Sequence, residues 1–251
     1  MVNSVAIAVP VAVAGGLFAL WHVLTYIEVD LKCEKPKYSV IRTLGKPKTT
    51  WYGKSVPRGE LRRYAPYLAA ECTLEGTSDM REALGLGFRQ IAGFIFGKNI
   101  AADGNSSKVA MTSPVTLEKS TKTSEKIAMT SPVAAEQVDN DKYKVAFIMP
   151  SKYTMETLPK PINENVKIVE VPSHTMAAMT FRGRSPSEAG MHDKAEELRA
   201  LCHESGLSVK GNVHLYQYHP PFSPAWMRIN EVLFEIDDHS QVEDHSQVED
   251  H

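Results

Sequence analysis

Arg89 is the one cation on an otherwise small and apolar side of a helix. The stretch 79–96, placed at 100° per residue, gathers Met80, Ala83, Leu84, Gly87, Phe88, Ile91, Phe94 and Ile95 on one stripe, the expected core face. A surface helix should be charged opposite that stripe. This one carries Gly85, Leu86, Arg89, Ala92, Gly93 and Phe96. Glycine in a helix costs about 1 kcal/mol relative to alanine, and with Gly85, Gly87 and Gly93 in one helix something is expected to come close to the backbone. Two occupants meet that demand: a ligand lying on a flat apolar wall, or a second protein element packed tightly against it.

Residue types that make and break bonds are present without the spacing such work needs. There is no nucleophile elbow, no H-E-x-x-H, no phosphate-binding loop and no pair of acids with an assigned site, so the chain is not expected to be an enzyme. Cys33, Cys72 and Cys202 are far apart, with no C-x-x-C and no zinc-like His/Cys spacing, and are expected as buried free thiols. The 251 residues carry a net charge of −2, with 43% hydrophobic and 23% charged side chains. That is an ordinary globular composition without a basic field for nucleic acid. No helix-turn-helix precedes the domain, which argues against transcriptional control.

The elements that must position this helix are mostly strands. An octapeptide occurs twice, K-V-A-M-T-S-P-V at 108–115 and K-I-A-M-T-S-P-V at 126–133, joined by a polar loop. Each copy alternates and then meets Ser-Pro, where proline removes a ladder donor, so both are expected as strands that end at a sheet rim and pair in the sheet. Further strands are expected at 37–44, 61–74, 142–149, 166–171, 174–181, 209–218 and 228–236, with Pro66 marking an edge or bulge. Residues 45–60, holding Trp51 and Tyr52, are a loop insertion, and 150–165 cross the surface. Ser78 is expected to cap the first helix, and Ser185-Pro186 to open a second that ends before Gly206. Strands with segregated helices, in the same order twice, indicate an antiparallel α+β architecture of two similar halves.

Residues 5–27 carry no charge and are broken only by Pro10, Gly15, Gly16, His22 and Thr25. About 20 apolar residues span a bilayer, so residues 1–30 are expected to form an N-terminal apolar helix that anchors the chain in a membrane, with Trp21 and Tyr26 at the interface. The alternative is a cleaved targeting peptide. Lys32, Lys35 and Lys37 follow and favour the cytoplasmic side for the soluble domain; an organellar membrane is compatible with this. The domain itself is expected over 37–237. Residues 238–251 repeat D-H-S-Q-V-E and are expected as a disordered tail.

In chain order the sequence contains K-P-K-Y-S-V-I-R-T-L-G, R-R-Y-A-P-Y-L-A-A-E, G-F-R-Q-I-A-G-F-I-F-G-K-N and the two A-M-T-S-P-V copies. These are followed by V-A-F-I-M-P-S-K-Y, P-K-P-I-N-E-N-V-K-I, Y-H-P-P-F-S-P and R-I-N-E-V. With these motifs the chain resembles the SOUL haem-binding protein family, in wording closest to plant and algal members. The resemblance implies a distorted antiparallel β-barrel of two pseudo-symmetric halves with two flanking helices. It also implies non-covalent binding of haem or a related tetrapyrrole in a shallow apolar cleft beside the first helix. Carried over by position, the cleft residues are Gly85, Phe88, Ala92 and Gly93, with Arg89 one turn away. Phe222, Trp226 and Met227 fall on the matching rim. Gly85 and Gly93 stand where animal members have Arg and Lys, so Arg62, Arg63 or Arg184 would have to compensate toward the propionates. Of His174, His214 and His219, which lie in or beside strands, His219 next to Pro220-Pro221 is the candidate iron ligand; a lone histidine is more often structural.

The expected function is therefore carriage or binding of a tetrapyrrole at a membrane. A protein-interaction module using the same helix face is the alternative, and an enzyme acting on a tetrapyrrole has the least support.

Overall fold

Proline has no amide to add to a ladder, and at Pro66 the chain turns. What alternates in sequence as one strand over 61–74 is two strands. The computed structural model describes residues 33–49, 53–77, 79–120, 142–219 and 223–237. Its first half contains β1 (Tyr38–Leu44), β2 (Lys48–Thr49), β3 (Ser55–Val56), β4 (Gly59–Tyr64), β5 (Tyr67–Leu74), α1 (Met80–Ile95), β6 (Asn99–Ile100), β7 (Val115–Ser120) and β8 (Lys142–Ile148). The second contains β9 (Lys160–Pro161), β10 (Lys167–Val171), β11 (His174–Arg182), α2 (Glu188–Glu204), β12 (Val209–Gln217) and β13 (Ile229–Ile236). The expected N-terminal helix, the second octapeptide copy, Trp51, Tyr52, Ser78, Phe222 and the tail lie outside the described residues. Among the described residues no helix is long and apolar enough to cross a membrane.

Nine strands form one antiparallel sheet in the order β1-β4-β11-β13-β12-β7-β8-β5-β10. Two short links force it to curl. β4 and β5 stand second and eighth yet are joined by Ala65 and Pro66 alone, and β11 and β10 stand third and ninth yet are joined by Pro172 and Ser173. In a flat sheet with strands about 4.8 Å apart, the members of each pair would be about 29 Å apart, whereas such a link reaches only about 10 Å. The sheet therefore rolls into a half-barrel, with no ladder between the edge strands β1 and β10 among the described residues.

The two halves are β4-β5-α1-β7-β8 and β10-β11-α2-β12-β13. Exchanging them and reading the sheet from β10 back to β4 returns the same order, so they are related by a pseudo-two-fold. Each half's first strand pairs with the other half's second, β4 with β11 and β10 with β5, and the axis passes between β7 and β12.

Both helices pack on the outer face, α1 over β5 and β8 and α2 over β11, β12 and β13. The main core lies between, built from side chains such as Leu61, Cys72, Ile91, Phe94, Leu117, Val145, Leu198 and Phe234. The inner face has its own smaller cluster of Tyr64, Met176, Ala178, Tyr216, Tyr218 and Leu233. Cys72 and Cys202 are buried free thiols as expected, while Cys33 is half-exposed.

Three local expectations are corrected. The first octapeptide copy is not a strand: residues 108–114 are irregular, and the ladder begins at Val115. Thr112 and Ser113 spend their hydroxyls on neighbouring backbone, Thr112 Oγ1 donating to Ile148 O and Ser113 Oγ to Tyr218 O, so the copy ties strand ends together instead of extending the sheet. The cap of α1 is Asp79, whose side chain accepts Arg81 N at 2.8 Å. The cap of α2 is Ser187, accepting Gly190 N at 3.2 Å, so Pro186 precedes the helix instead of opening it.

Candidate functional site

α1 is held by its first and last turns. Asp79 caps the start with Glu82 in the first turn, where a carboxylate complements the helix dipole. At the other end Asn99 Nδ2 donates to Phe94 O at 2.7 Å and Ser107 O at 2.6 Å. The three glycines separate into two kinds. A Cβ at Gly87 would meet Val145 Cβ at 2.5 Å, so this glycine lets α1 settle onto β8. A Cβ at Gly85 would meet only Arg89 Nη1 at 3.8 Å, and one at Gly93 only Lys98 Cδ at 3.3 Å, both flexible side-chain ends. Protein packing thus explains Gly87, whereas Gly85 and Gly93 are half-buried and approached only by those side-chain ends.

Around those two, Phe88 is 38% exposed and Phe96 59% exposed, and Arg89 is exposed. Phe88, placed on the core stripe by periodicity, sits at its edge with its ring 5.5 Å from that of Phe147. Ala92 is the correction on this face: at 8% exposure it packs inward and presents little to a ligand. Leu86 likewise packs against the core.

The rim lies at the same end of the sheet. Phe147 pairs with Val115, Val115 with Gln217, and Gln217 with Asn230, a row across the outer face. Three strand spacings of about 4.8 Å put Asn230 about 14 Å from Phe147 along the sheet. The turn before β13 holds Trp226, 75% exposed, and the half-buried Met227. Its hydrogen bonds run to the turn after β11, where Arg182 Nη1 donates to Met227 O at 3.3 Å and Gly183 N to Arg228 O at 3.2 Å. The α1 wall and the rim are therefore fixed by opposite halves.

His219 is buried beside this turn, and its Nδ1 accepts Ile229 N at 3.1 Å. A metal would have to be taken through Nε2. Among the described residues no group of three or more His, Cys, Asp or Glu side chains could hold a metal ion. Arg62 does not compensate at the wall. It is buried on the inner face with Nη1 3.0 Å from Glu231 Oε1. Arg184 is exposed next to the rim, and Arg63 is half-buried on β4.

Two concavities went unseen in the sequence. One of about 250 Å³ opens on the inner face between Tyr67, Glu118, Lys144, His174, His214 and Tyr216. Burial lowers the His214 pKa; burial also acts to raise that of Glu118, but His214, Asn212 and Lys144 together lower it. The other, about 350 Å³, lies at the barrel mouth near Lys37, Leu68, Met149, Tyr153 and Met155. Neither is lined by α1 or by the 223–228 turn, nor by Met111. Their inward-facing residues alternate with core residues, and alternation alone does not say which face is hollow. The smaller concavity mixes charged side chains such as Glu118 and Lys144 with apolar ones such as Ile148 and Met176.

Residues 33–235 match the family described as SOUL heme-binding protein. The chain belongs to that family. No curated protein matches it. Among solved structures, the EcmrR C-terminal domain is 11% identical with a TM-score of 0.47, over 71% of this chain and 96% of that one. A hydrolase from Listeria innocua is 13% identical with a TM-score of 0.46, over 72% and 92%. SAV2435 bound to tetraphenylphosphonium is 14% identical with a TM-score of 0.39, over 74% and 98%. Likenesses this distant do not bear on function.

Proposed function

We propose that this SOUL-family chain binds haem or a related tetrapyrrole non-covalently on the outer face of α1, as a carrier without catalysis, tethered to a membrane by residues 5–27. The observation that carries the site is the pair of open glycines. At Gly85 and Gly93 only the flexible ends of Arg89 and Lys98 come near, although each glycine costs about 1 kcal/mol of helix stability.

The residues present fit the group. A macrocycle is flat and apolar with anionic edges. Gly85 and Gly93 offer a floor without side chains, Phe88 and Phe96 offer exposed rings, and Arg89 and Lys98 are cations at the margin. Phe222, Trp226 and Met227 would close the site from the rim, and His219 is the candidate iron ligand. When bound, the tetrapyrrole would supply its own metal chemistry; the chain's part is to bind and orient it. Titration of the full chain with haem and metal-free porphyrin, followed at the Soret band, tests the reading. Saturable micromolar binding is expected.

A further inference from the structure

The chain enters its domain at the barrel end from which the turn 223–228 projects beside Arg182 and Arg184. Ser113 N donates to Glu34 O at 3.0 Å and Ser113 Oγ donates to Tyr218 O at 2.9 Å, so a single residue bridges the start of the domain and the end of β12. Lys35 Nζ lies 6.0 Å from the Tyr218 ring centroid. From this end rises the turn 223–228, whose Trp226 is 75% exposed.

Three arginines gather at that turn. Arg182 Nη1 donates to Met227 O at 3.3 Å and Arg228 Nε to Ser223 O at 2.6 Å. Gly183, at φ +133° between Arg182 and Arg184, donates its N to Arg228 O at 3.2 Å and so holds both neighbours near Arg228. Arg182 and Arg184 are both exposed. Burial lowers the Arg228 pKa, and the nearby charge of Arg184 adds to the same direction. Clustered guanidinium groups attract phosphate anions, and an exposed tryptophan beside them suits the headgroup layer of a bilayer, where amphipathic rings concentrate.

We propose that this end of the barrel docks on an anionic bilayer surface, with Arg182, Arg184 and Arg228 meeting lipid phosphates and Trp226 entering the headgroup layer. The proposal rests on the tether reading above: residues 1–32 join the domain at this same end, so a tether in residues 5–27 would draw the turn toward the membrane. A docked carrier would hold its rim against the bilayer.

Two single-tryptophan forms of the full chain test it. W21F/W51F leaves Trp226 as reporter, and W51F/W226F leaves Trp21. Each is mixed with phosphatidylcholine vesicles, with and without phosphatidylglycerol, carrying brominated acyl chains that quench tryptophan on contact. Trp226 is expected to be quenched severalfold more in the anionic vesicles. Adding R182E/R184E should abolish that difference, and R182K/R184K should restore most of it. Quenching of Trp21 without quenching of Trp226 would keep the tether and overturn the docking. Quenching of neither would overturn both.

Discussion

Arg62 Nη1 and Glu231 Oε1 stand 3.0 Å apart with side chains only 4% and 5% exposed, in the centre of the inner face. The pair is completed by neighbours. Thr180 Oγ1 donates to Glu231 Oε1 at 2.8 Å, Tyr218 OH donates to Glu231 Oε2 at 2.6 Å, and the Tyr38 ring lies 4.4 Å from the guanidinium. Charge is tolerated there because every partner supplies a hydrogen bond or a ring face. The network joins β4 of one half to β11 and β13 of the other, across the exchanged strand pairing.

Breaking that pair should cost far more than replacing it. Glu231→Gln leaves the buried guanidinium with Glu60, 2.8 Å away and 22% exposed, as its remaining counter-charge, and is expected to destabilise by about 1.5–3 kcal/mol, the worth of a hydrogen bond to a charged group. The double change Arg62→Met with Glu231→Leu should recover most of this. Urea unfolding of the three chains checks both statements, and an unchanged midpoint for Glu231→Gln would contradict the network's role.

The glycines of α1 should respond in opposite senses. Gly85→Ala adds a methyl in open space and gains helix propensity, a stabilisation of about 0.5–1 kcal/mol. Gly87→Ala drives a Cβ to 2.5 Å from Val145 and should destabilise by about 1–3 kcal/mol. Thermal melts of the two variants separate the open face from the packed one.

Glu197 sets an acid dependence. Its carboxyl is held at about 2, against an ordinary 4.5, chiefly by the Lys194 hydrogen bond and also by Lys48 and Arg58, while burial opposes the shift. The folded pKa is depressed, so the unfolded chain binds more protons between those values. The stability is present above about pH 4.5 and is lost as pH falls toward about 2. Lys48 is 59% exposed, and solvent screening reduces the contribution to about 1 kcal/mol. Glu197→Gln should flatten that limb of a stability-versus-pH curve.

The octapeptide is expected to matter as a clasp. Ser113→Ala removes the bond to Tyr218 O, which is worth about 1 kcal/mol, or up to about 3 if the buried carbonyl finds no water. A hydrogen-exchange experiment should show faster exchange at Tyr218 and in the start of β7. Unchanged protection there would remove the clasp from the account.

Much of the architecture was legible because strands alternate and glycine and proline punctuate. β1, β8, β11, β12 and β13 lie where alternation puts them, and Gly206 ends α2. The exchange of β4 and β10 between halves was not legible, since alternation fixes a strand's faces and not its partner. Alternation also misread residues 108–114, where Thr112 and Ser113 bond to neighbouring backbone. On α1, the missing charge singled out Gly85 and Gly93, which only the ends of Arg89 and Lys98 approach. Periodicity could not tell that Gly87 faces Val145, that Ala92 turns inward or that Phe88 stays at the surface, because each depends on where β8 lies.

The proposed tetrapyrrole site on the outer face of α1 turns on Gly85. Its most direct test is a Soret titration of the full chain with haem and protoporphyrin, beside Gly85→Leu, a change that fills the wall without touching the core. Saturable micromolar binding by the parent chain is expected, and at least tenfold weaker binding by Gly85→Leu, with the variant's unfolding midpoint preserved. Binding unaffected by Gly85→Leu would place the ligand elsewhere, and no saturable binding by the parent chain would contradict the account.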